Sequence, residues 1–201
     1  MVPDDPEGTA SLSDLRGGDD DVYEPAEDSA ILAGEVVADL AEAEPGTVLD
    51  VGTGSGYIGA KVAAATDAKV VGLDVNPAAC RRAREAGLEA VRGDLTAPFA
   101  ADTFDAVVFN PPYLPAMPEA DWEDWFEVAV TGGASGRELI DRFLESVGRV
   151  LMDEGSVYLL VSSLSGVDTV VETAAHEGFS AAALADAAFA GETLTVLKLV
   201  R

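Results

Sequence analysis

The sequence predicts an α/β fold in which one domain is built around a doubly wound sheet. Two observations support this prediction. Short apolar runs, typical of buried strands, alternate with helical patterns along the chain, and this order specifies a sheet with helices on both faces. A glycine-rich turn follows the first strand and leads directly into a helix, as it does in α/β folds that bind a nucleotide at the carboxyl edge of the sheet.

Length and composition fit one domain with its own core. The chain has 201 residues and is 48% hydrophobic. No apolar run reaches the length of a membrane span, and the amino terminus lacks the basic and apolar parts of a signal peptide, so we expect no membrane contact. A single cysteine, Cys80, and a single histidine exclude an internal disulfide, argue against a bound metal and favour a cytoplasmic location.

Charge is the strongest feature of the composition. The chain carries 37 acidic against 12 basic residues, a net charge of -25. At ordinary ionic strength this charge would repel a phosphate backbone and strain the compact state, whereas salt near 1 M shortens the Debye length to about 3 Å and relieves both effects. Because the acids are spread along the whole chain, we interpret the protein as halophilic; the alternative is that they only aid solubility.

The amino-terminal region divides at about residue 22. Residues 1–21 hold too few apolar side chains to fold, so we predict a flexible acidic leader followed by a folded domain over residues 22–201. The domain is expected to start with a helix from about Pro25 to Ala43, ended by Pro45-Gly46. Its predicted apolar stripe is Ile31, Val37, Ala38 and Ala41.

A glycine loop follows the first predicted strand, Thr47 to Val51, and opens a helix that runs to about Ala65. Glycines allow positive φ and a close approach of the backbone to a ligand, and the helix amino end offers free N–H groups. The spacing also fits the dinucleotide fingerprint, so the loop alone does not choose between a nicotinamide cofactor and S-adenosylmethionine. The loop residues predicted to bind the cofactor are Gly52, Gly54 and Gly56.

Acidic residues stand at the ends of three successive predicted strands. Asp74 ends the second strand about twenty residues after the loop and can accept both hydroxyls of a ribose. Asp50 ends the first strand and suits a ligand with an ammonium group, which favours S-adenosylmethionine. Asp94 follows the third strand, Leu88 to Val91, where an adenine amine could be held. Taken singly, each acid could instead be a cap or a solvated turn.

A proline pair ends the buried strand predicted over Phe104 to Phe109. It fixes the backbone and supplies carbonyls without N–H donors. The Asn110 side-chain oxygen and the Pro111 carbonyl can accept the two hydrogens of a planar NH2 group while the Tyr113 ring stacks on its face. The predicted catalytic set is therefore Asn110, Pro111, Pro112 and Tyr113; the alternative is a tight exit turn.

The remaining pattern completes the alternation. Asn76-Pro77 caps a helix that ends at Gly87, with Cys80 facing inward. The loop that carries Trp122, Trp125 and Phe126 is interpreted either as a lid or partner surface or as a simple anchor. The last predicted elements are a helix with a capping box from Ser135 and an end near Leu151, a strand from Ser156 to Val161, a helix from Val167 to His176, and strands near Phe179–Leu184 and Leu194–Val200.

These residues resemble a known family. The chain is similar to class I S-adenosylmethionine-dependent methyltransferases, and among them it resembles the HemK-like glutamine N-methyltransferases of release factors, of the short archaeal and eukaryotic type. The matching stretches run from Val22 to Ser29, from Asp50 to Gly56, from Asn110 to Tyr113, from Gly132 to Asp141 and from Glu192 to Lys198.

The resemblance implies a Rossmann-like sheet of seven strands whose last strand is antiparallel. It implies an enzyme that uses S-adenosylmethionine to methylate the side-chain amide of a glutamine in a peptide-chain release factor. It further implies a small zinc-binding activator subunit, docked at the sheet edge formed by the third strand. The loop from Leu114 to Val130 departs from the family. The implied cofactor site includes Ser29, Asp50, Gly52, Asp74, Asp94, Leu95 and Asn110.

Two alternatives remain open at this stage. An adenine amine in DNA or RNA would fit the same acceptor set, but a net charge of -25 and the lack of a basic recognition region argue against a nucleic acid. A non-catalytic, cofactor-binding subunit is the second alternative. The intact run from Asn110 to Tyr113 argues against it.

Overall fold

The computed structural model describes residue 22 and residues 24–113, 136–189 and 191–201. The predicted leader and the loop that carries Trp122, Trp125 and Phe126 lie outside these residues. The helices described are α1 (Glu27–Ala43), α2 (Tyr57–Ala65), α3 (Pro77–Glu85), α4 (Glu138–Val150) and α5 (Val167–His176). The strands are β1 (Thr47–Val51), β2 (Lys69–Asp74), β3 (Glu89–Arg92), β4 (Phe104–Phe109), β5 (Leu151–Ser162), β6 (Ser180–Phe189) and β7 (Glu192–Val200).

All of these strands form one sheet in the order β3-β2-β1-β4-β5-β7-β6. The strands from β1 to β5 pair in parallel, and β7 runs antiparallel between β5 and β6. The predicted seven-stranded, doubly wound sheet with an antiparallel last strand is therefore confirmed. The strand order reverses between β1 and β4, so the carboxyl ends of these strands border the crevice in which such folds bind ligands.

The two faces of the sheet bury separate cores. Val107, Phe109 and Leu159 pack on one face together with apolar residues of α4 and α5. Val108 and Leu160 pack on the other face, which we call the α1 face because α1 covers it. Since side chains alternate along a strand, the even-numbered residues belong to the α1 face in β4 from Ala106 onward, after the register shift, and in β5 from Tyr158 and β7 from Leu194. This alternation decides which polar residues meet at the crevice.

Helix α1 buries a different stripe from the one predicted. The prediction was wrong for Ala38 and Ala41, which are exposed, and partly right for Ile31 and Val37, which are half-buried. The helix is apolar on much of its circumference, and the larger leucines take the core because they remove more apolar area from water than alanines do. The buried apolar residues are Leu32, Ala33, Val36 and Leu40.

A polar contact fixes the middle of α1 to the sheet. Asp39 accepts hydrogen bonds from the Tyr158 hydroxyl and from the Lys198 ammonium, the latter at 2.5 Å. Burial alone would raise the pKa of Asp39, but its hydrogen bonds to Lys198 and Tyr158, with the lysine charge, hold that pKa below its ordinary value. The pair joins α1 to β5 and β7.

Several element boundaries differ from the prediction. Helix α1 begins at Glu27, so Pro25 precedes the helix instead of lying in its first turn. Arg137 is the N-cap of α4 and its side chain makes no capping bond, while Ser135 of the predicted capping box lies outside the described residues. Strand β5 starts at Leu151, which pairs with Phe104 ahead of a register shift. The Asn76 cap is confirmed, because its side chain accepts from the Ala78 N–H at 2.8 Å.

Among the described helices, none is both long enough and apolar enough to cross a lipid bilayer.

Candidate active site

The glycine loop turns sharply between β1 and α2. Gly52, Gly54 and Gly56 have φ values of +61°, +54° and +81°, a region that residues with a Cβ rarely adopt. The loop folds back onto β2, because the Thr53 N–H donates to the Leu73 carbonyl at 2.9 Å. Gly56 is also the N-cap of α2, so the free N–H groups of that helix face the crevice.

Two glycines in the neighbouring elements let the loop approach this closely. A Cβ at Gly72 in β2 would lie 2.9 Å from the Thr53 hydroxyl oxygen. A Cβ at Gly59 in α2 would lie 2.7 Å from Leu88 and 3.0 Å from the Asp50 carboxylate. Gly72 was not among the predicted site residues; its only signal in the sequence is a glycine inside a strand, which marks a close backbone approach.

Asp50 fastens the loop to α2. Its Oδ2 accepts hydrogen bonds from the Thr53 hydroxyl at 2.7 Å and from the Gly59 N–H at 3.0 Å, and only 2% of the residue is exposed. Burial raises the pKa of Asp50 to about 6; the nearby Asp74 carboxylate adds to the rise, and the two hydrogen bonds oppose it. The predicted contact of Asp50 with an ammonium group stays a prediction.

Asp74 ends β2 beside the loop, as predicted. Its Oδ2 accepts from the Gly54 N–H at 3.0 Å, and its Oδ1 accepts from the Asn76 N–H at 2.8 Å. Burial raises the pKa of this carboxyl above its ordinary value. A carboxylate offers about four acceptor positions, so Asp74 keeps capacity for a ribose hydroxyl.

Asp94 and Leu95 lie in the turn that follows β3. The exposed Asp94 carboxylate pairs with the Arg142 guanidinium of α4 at 2.6 Å. Leu95 has a φ of +47°, which costs a residue with a side chain about 1–2 kcal/mol. Such an outlier is a reason to suspect a functional position. The predicted contact of both residues with an adenine stays a prediction.

Asn110 projects from the end of β4, where α1 begins. Its Nδ2 donates to the Asp28 Oδ2 at 3.1 Å and to the Ser29 Oγ at 3.3 Å. A carboxylate can only accept, so the amide nitrogen must be the atom that faces Asp28. The Asn110 Oδ1 therefore points the other way, and this buried oxygen has no hydrogen-bond partner among the described residues.

Asp28 is a site residue that the sequence analysis missed. It is 6% exposed, and its Oδ1 accepts from the Ser29 N–H at 2.6 Å. The sequence offered two signals for it: an acid in the first turn of a helix, and a place in the stretch from Val22 to Ser29 that resembles the family. Its partner Asn110 lies 82 residues away, a contact that only the tertiary structure brings about.

Tyr113 lies on the α1 face, near enough to the Asp28 and Glu192 carboxylates for their charges to act on its hydroxyl. The ring packs against the core of this face, which also includes Leu194 and Leu160. Burial, with the charges of Asp28 and Glu192, raises the pKa of the Tyr113 hydroxyl, so that hydroxyl stays protonated at physiological pH. Of the other predicted catalytic residues, Pro111 is buried and Pro112 is half-buried.

A short segment before α1 crosses α3 and leads the chain into the site. Val22 is 2% exposed and packs against Ala78 and Ala79. Glu24 pairs with the Arg82 guanidinium at 2.7 Å. These contacts place the amino end of α1, with Asp28 and Ser29, beside the end of β4.

The residues of the crevice fit S-adenosylmethionine. One end offers a glycine loop with positive φ at three positions and an acid at the end of β2. The other end offers a buried acceptor that lacks a partner in the described part of the chain. No cluster of three or more histidines, cysteines or acids that could hold a metal ion occurs among the described residues.

Comparisons with known proteins agree with this geometry. A family model described as a methyltransferase domain matches residues 48–133. A protein of Methanocaldococcus jannaschii, whose name assigns it provisionally to the protein N5-glutamine methyltransferases, is 35% identical over 167 residues, or 79% of this chain and 81% of that protein. The human methyltransferase HEMK2 is 32% identical over 92% of each chain.

A solved structure is similar over nearly the whole chain. It is the Mtq2–Trm112 complex of E. cuniculi, described as responsible for the methylation of the eRF1 translation termination factor. The match has a TM-score of 0.75 and 31% identity, and it covers 90% of this chain and 99% of that one.

Proposed function

The chain belongs to the HemK-like glutamine methyltransferases, and from this premise we propose that it methylates the side-chain amide nitrogen of a glutamine in a peptide-chain release factor. When bound, S-adenosylmethionine supplies an electrophilic methyl group. One observation carries the proposal: the buried Asn110 Oδ1 is oriented by Asp28 and Ser29 and has no partner among the described residues. A buried acceptor left unpaired costs about 1–3 kcal/mol, so we infer that it is kept for a donor from the substrate.

The cofactor end of the crevice is expected to hold the nucleoside and the methionine part. Asp74 accepts a ribose hydroxyl, and the loop from Gly52 to Gly56 lets the backbone lie against the ligand. Asp50 holds the loop in place and adds a negative charge beneath the cationic ligand. Asp94 and Leu95 are proposed to contact the adenine.

The target end is expected to orient the amide. The Asn110 Oδ1 and the Pro111 carbonyl accept the two N–H hydrogens, and the Tyr113 ring stacks on the amide plane. An amide nitrogen is a poor nucleophile because its lone pair is delocalised into the carbonyl. Holding both hydrogens aims that pair at the methyl carbon, and well-oriented reactants reach effective molarities of about 10⁵–10⁸ M.

We also propose an activator partner at the edge of the sheet. Among the described strands, β3 forms one edge, and it is short and only half-buried. The similar Mtq2 of E. cuniculi was solved in a complex with Trm112. We propose that a small zinc-binding subunit pairs with β3, and that the complex works in the cytoplasm at high salt.

The test is methylation of a purified release factor. The chain, co-expressed with its activator, is incubated at high salt with the release factor and labelled S-adenosylmethionine, and the labelled residue is located by mass spectrometry. We expect one methyl group on a glutamine side chain. The matched control is a release factor in which that glutamine is replaced by glutamate, which lacks the NH2 group. Label that appears instead on adenine in added DNA or RNA would contradict the proposal.

A further inference from the structure

A second carboxylate lies at the target end of the crevice. Strand β5 runs parallel to β4 with Leu159 level with Phe109, and its last residue is Ser162. Ser162 pairs with Leu194 of the antiparallel β7, which places Glu192 two residues further toward the crevice. Asn110, Ser162 and Glu192 are even-numbered, so all three belong to the α1 face, which also holds Tyr113.

A buried hydroxyl fixes this carboxylate. Ser162 is fully buried; its Oγ accepts from the Leu164 N–H at 3.1 Å and donates to the Glu192 Oε2. The other oxygen of Glu192, Oε1, has no hydrogen-bond partner in the described part of the chain. No lysine or arginine of the described residues pairs with Glu192 either. The side chain is half-buried, so its charge is only partly screened by water.

We propose that Glu192 is a further catalytic residue, whose carboxylate faces the reacting nitrogen and stabilises the positive charge that this nitrogen acquires. This inference rests on the proposed methyl transfer to an amide. Asp28 is the other acid near Tyr113, and it is engaged in holding Asn110 and Ser29. Glu192 is therefore the carboxylate at this end that keeps an oxygen for the substrate.

The charge balance of the reaction explains why a carboxylate is useful there. The nitrogen forms a bond to the methyl carbon as the methyl–sulfur bond breaks, and the electron pair of that bond stays on sulfur. Positive charge thus moves from sulfur to nitrogen, and a fixed negative group at the nitrogen end stabilises the transition state more than the ground state.

The same carboxylate then receives a proton. The methylated nitrogen sheds one N–H proton to restore a neutral amide. Asn110 and Pro111 contribute neutral carbonyl oxygens, which do not hold a proton at neutral pH. Glu192 takes the proton on its free oxygen and releases it to water, because the side chain is not fully buried.

The first test measures binding of two cofactor analogues by calorimetry. Sinefungin carries an ammonium group in place of the transferred methyl, whereas S-adenosylhomocysteine has no charge at that position. Glu192→Gln keeps the size and the acceptor for Ser162 but removes the charge. We expect this variant to bind sinefungin about tenfold more weakly, as for loss of a bond to a charged group, and to bind S-adenosylhomocysteine as the wild type does.

A matched control removes a similar charge on the opposite face of the sheet. The Asp186 carboxylate of β6 accepts from the Thr195 hydroxyl at 2.6 Å, much as Glu192 accepts from Ser162. Thr195 is an odd-numbered residue of β7, so this pair points away from the α1 face. Asp186→Asn should leave both affinities unchanged. If Glu192→Gln binds sinefungin as tightly as the wild type does, the proposal is overturned.

The second test measures single-turnover methylation of the release factor. Glu192→Gln should slow the step by about tenfold or more, whereas Asp186→Asn should not slow it. If Glu192→Gln does not fold, Ser162→Ala carries the test, because it frees the carboxylate and should weaken sinefungin binding by about threefold while sparing S-adenosylhomocysteine. The binding ratio needs no protein substrate. A changed ratio without methylation of the release factor would therefore refute the proposed substrate and leave the role of Glu192 standing.

Discussion

The two ends of the crevice are built in different ways. The cofactor end is nearly contiguous in sequence, because one loop, the start of α2 and the end of β2 supply it. Its carboxylates accept from the N–H groups of Gly54 in that loop and Gly59 in α2. The target end is assembled from α1, β4, β5 and β7. Asp28 and Asn110 meet there across 82 residues, and Ser162 and Glu192 meet across 30.

This difference separates the residues that hold the cofactor from those that orient the reacting amide. At the cofactor end, the Asp50 Oδ2 and both carboxylate oxygens of Asp74 accept from backbone and hydroxyl donors without any ligand. At the target end, the Asn110 Oδ1 lacks a partner among the described residues. We conclude that the first end is ordered by its own hydrogen bonds, whereas we expect the second to be completed by a substrate.

The variant with the largest expected effect disrupts the target end alone. Asn110→Ala removes the oriented acceptor and leaves the glycine loop and Asp74 intact. We expect turnover to fall by roughly 10²-fold or more, as for a misplaced reacting group, and cofactor affinity to fall far less. Single-turnover rates, measured beside cofactor dissociation constants, check this.

Tyr113 supplies the control for that prediction. Tyr113→Phe keeps the ring face and should be mild, whereas Tyr113→Ala loses the stacking and should resemble Asn110→Ala. Normal turnover by Asn110→Ala would show that the acceptor set is not the device that orients the amide.

The variant with the next largest expected effect disrupts the cofactor end alone. Asp74→Ala should weaken cofactor binding by about 1.5–3 kcal/mol, the range for hydrogen bonds to a charged group. Calorimetry with S-adenosylhomocysteine measures it. Glu172→Ala is the control, since it removes one exposed acid from a helix on the far side of the sheet. Equal affinity in the two variants would remove Asp74 from the ribose role.

The variant with the smallest expected effect distinguishes the stability of the fold from the binding of the cofactor. Asp50→Asn keeps an acceptor for Thr53 and Gly59 but removes a buried charge, so we expect it to stabilise the unliganded fold at pH 7 by on the order of 1 kcal/mol. Burial raises the pKa of Asp50 in the folded protein to about 6 from its ordinary value of 3.8. Its favourable contribution to wild-type stability is thus present below pH 3.8 and is lost as the pH rises through about 6.

The gain of the asparagine variant over the wild type should therefore shrink as the pH falls from 7 toward 4. Thermal unfolding of both proteins across that range measures the gain, and the comparison cancels the other titrating acids. A gain that does not change with pH would mean that Asp50 is not a charged, penalised group in the fold.

The sequence predicted the parts of the fold that local chemistry decides. The bounds of β1, β4 and α5 agree with the prediction because glycine and proline residues stop these apolar runs. The Asn76 cap was also predictable from two adjacent residues. Strand β5 was predicted too short, since residues 152–154 are exposed and interrupt the apolar pattern, and the start of the strand joins the sheet through the pairing of Leu151 with Phe104.

The partners at the target end could not be predicted in the same way. No local pattern links Asp28 to Asn110 or Ser162 to Glu192, because register and helix placement bring them together. The prediction of the buried stripe on α1 was wrong for a related reason. Several faces of an alanine-rich helix are apolar enough to be buried, and packing against the sheet decides which one is. Gly72 is an intermediate case. The glycine is evident in the sequence, but the reason for it, the close approach of Thr53 in the neighbouring loop, is evident only in the structure.

The bond between Asp28 and Asn110 also sets an order of events during synthesis. Ribosomes add about 5–20 residues per second, so the 82 residues between the two partners take roughly 4–16 s to make. The glycine loop and Asp74 leave the ribosome before Asn110 does, and β7 with Glu192 leaves after both. A nascent chain can therefore assemble its ligand cradle before it can assemble its reactive end. We therefore expect methyl transfer to begin only after β7, which carries Glu192, has been translated.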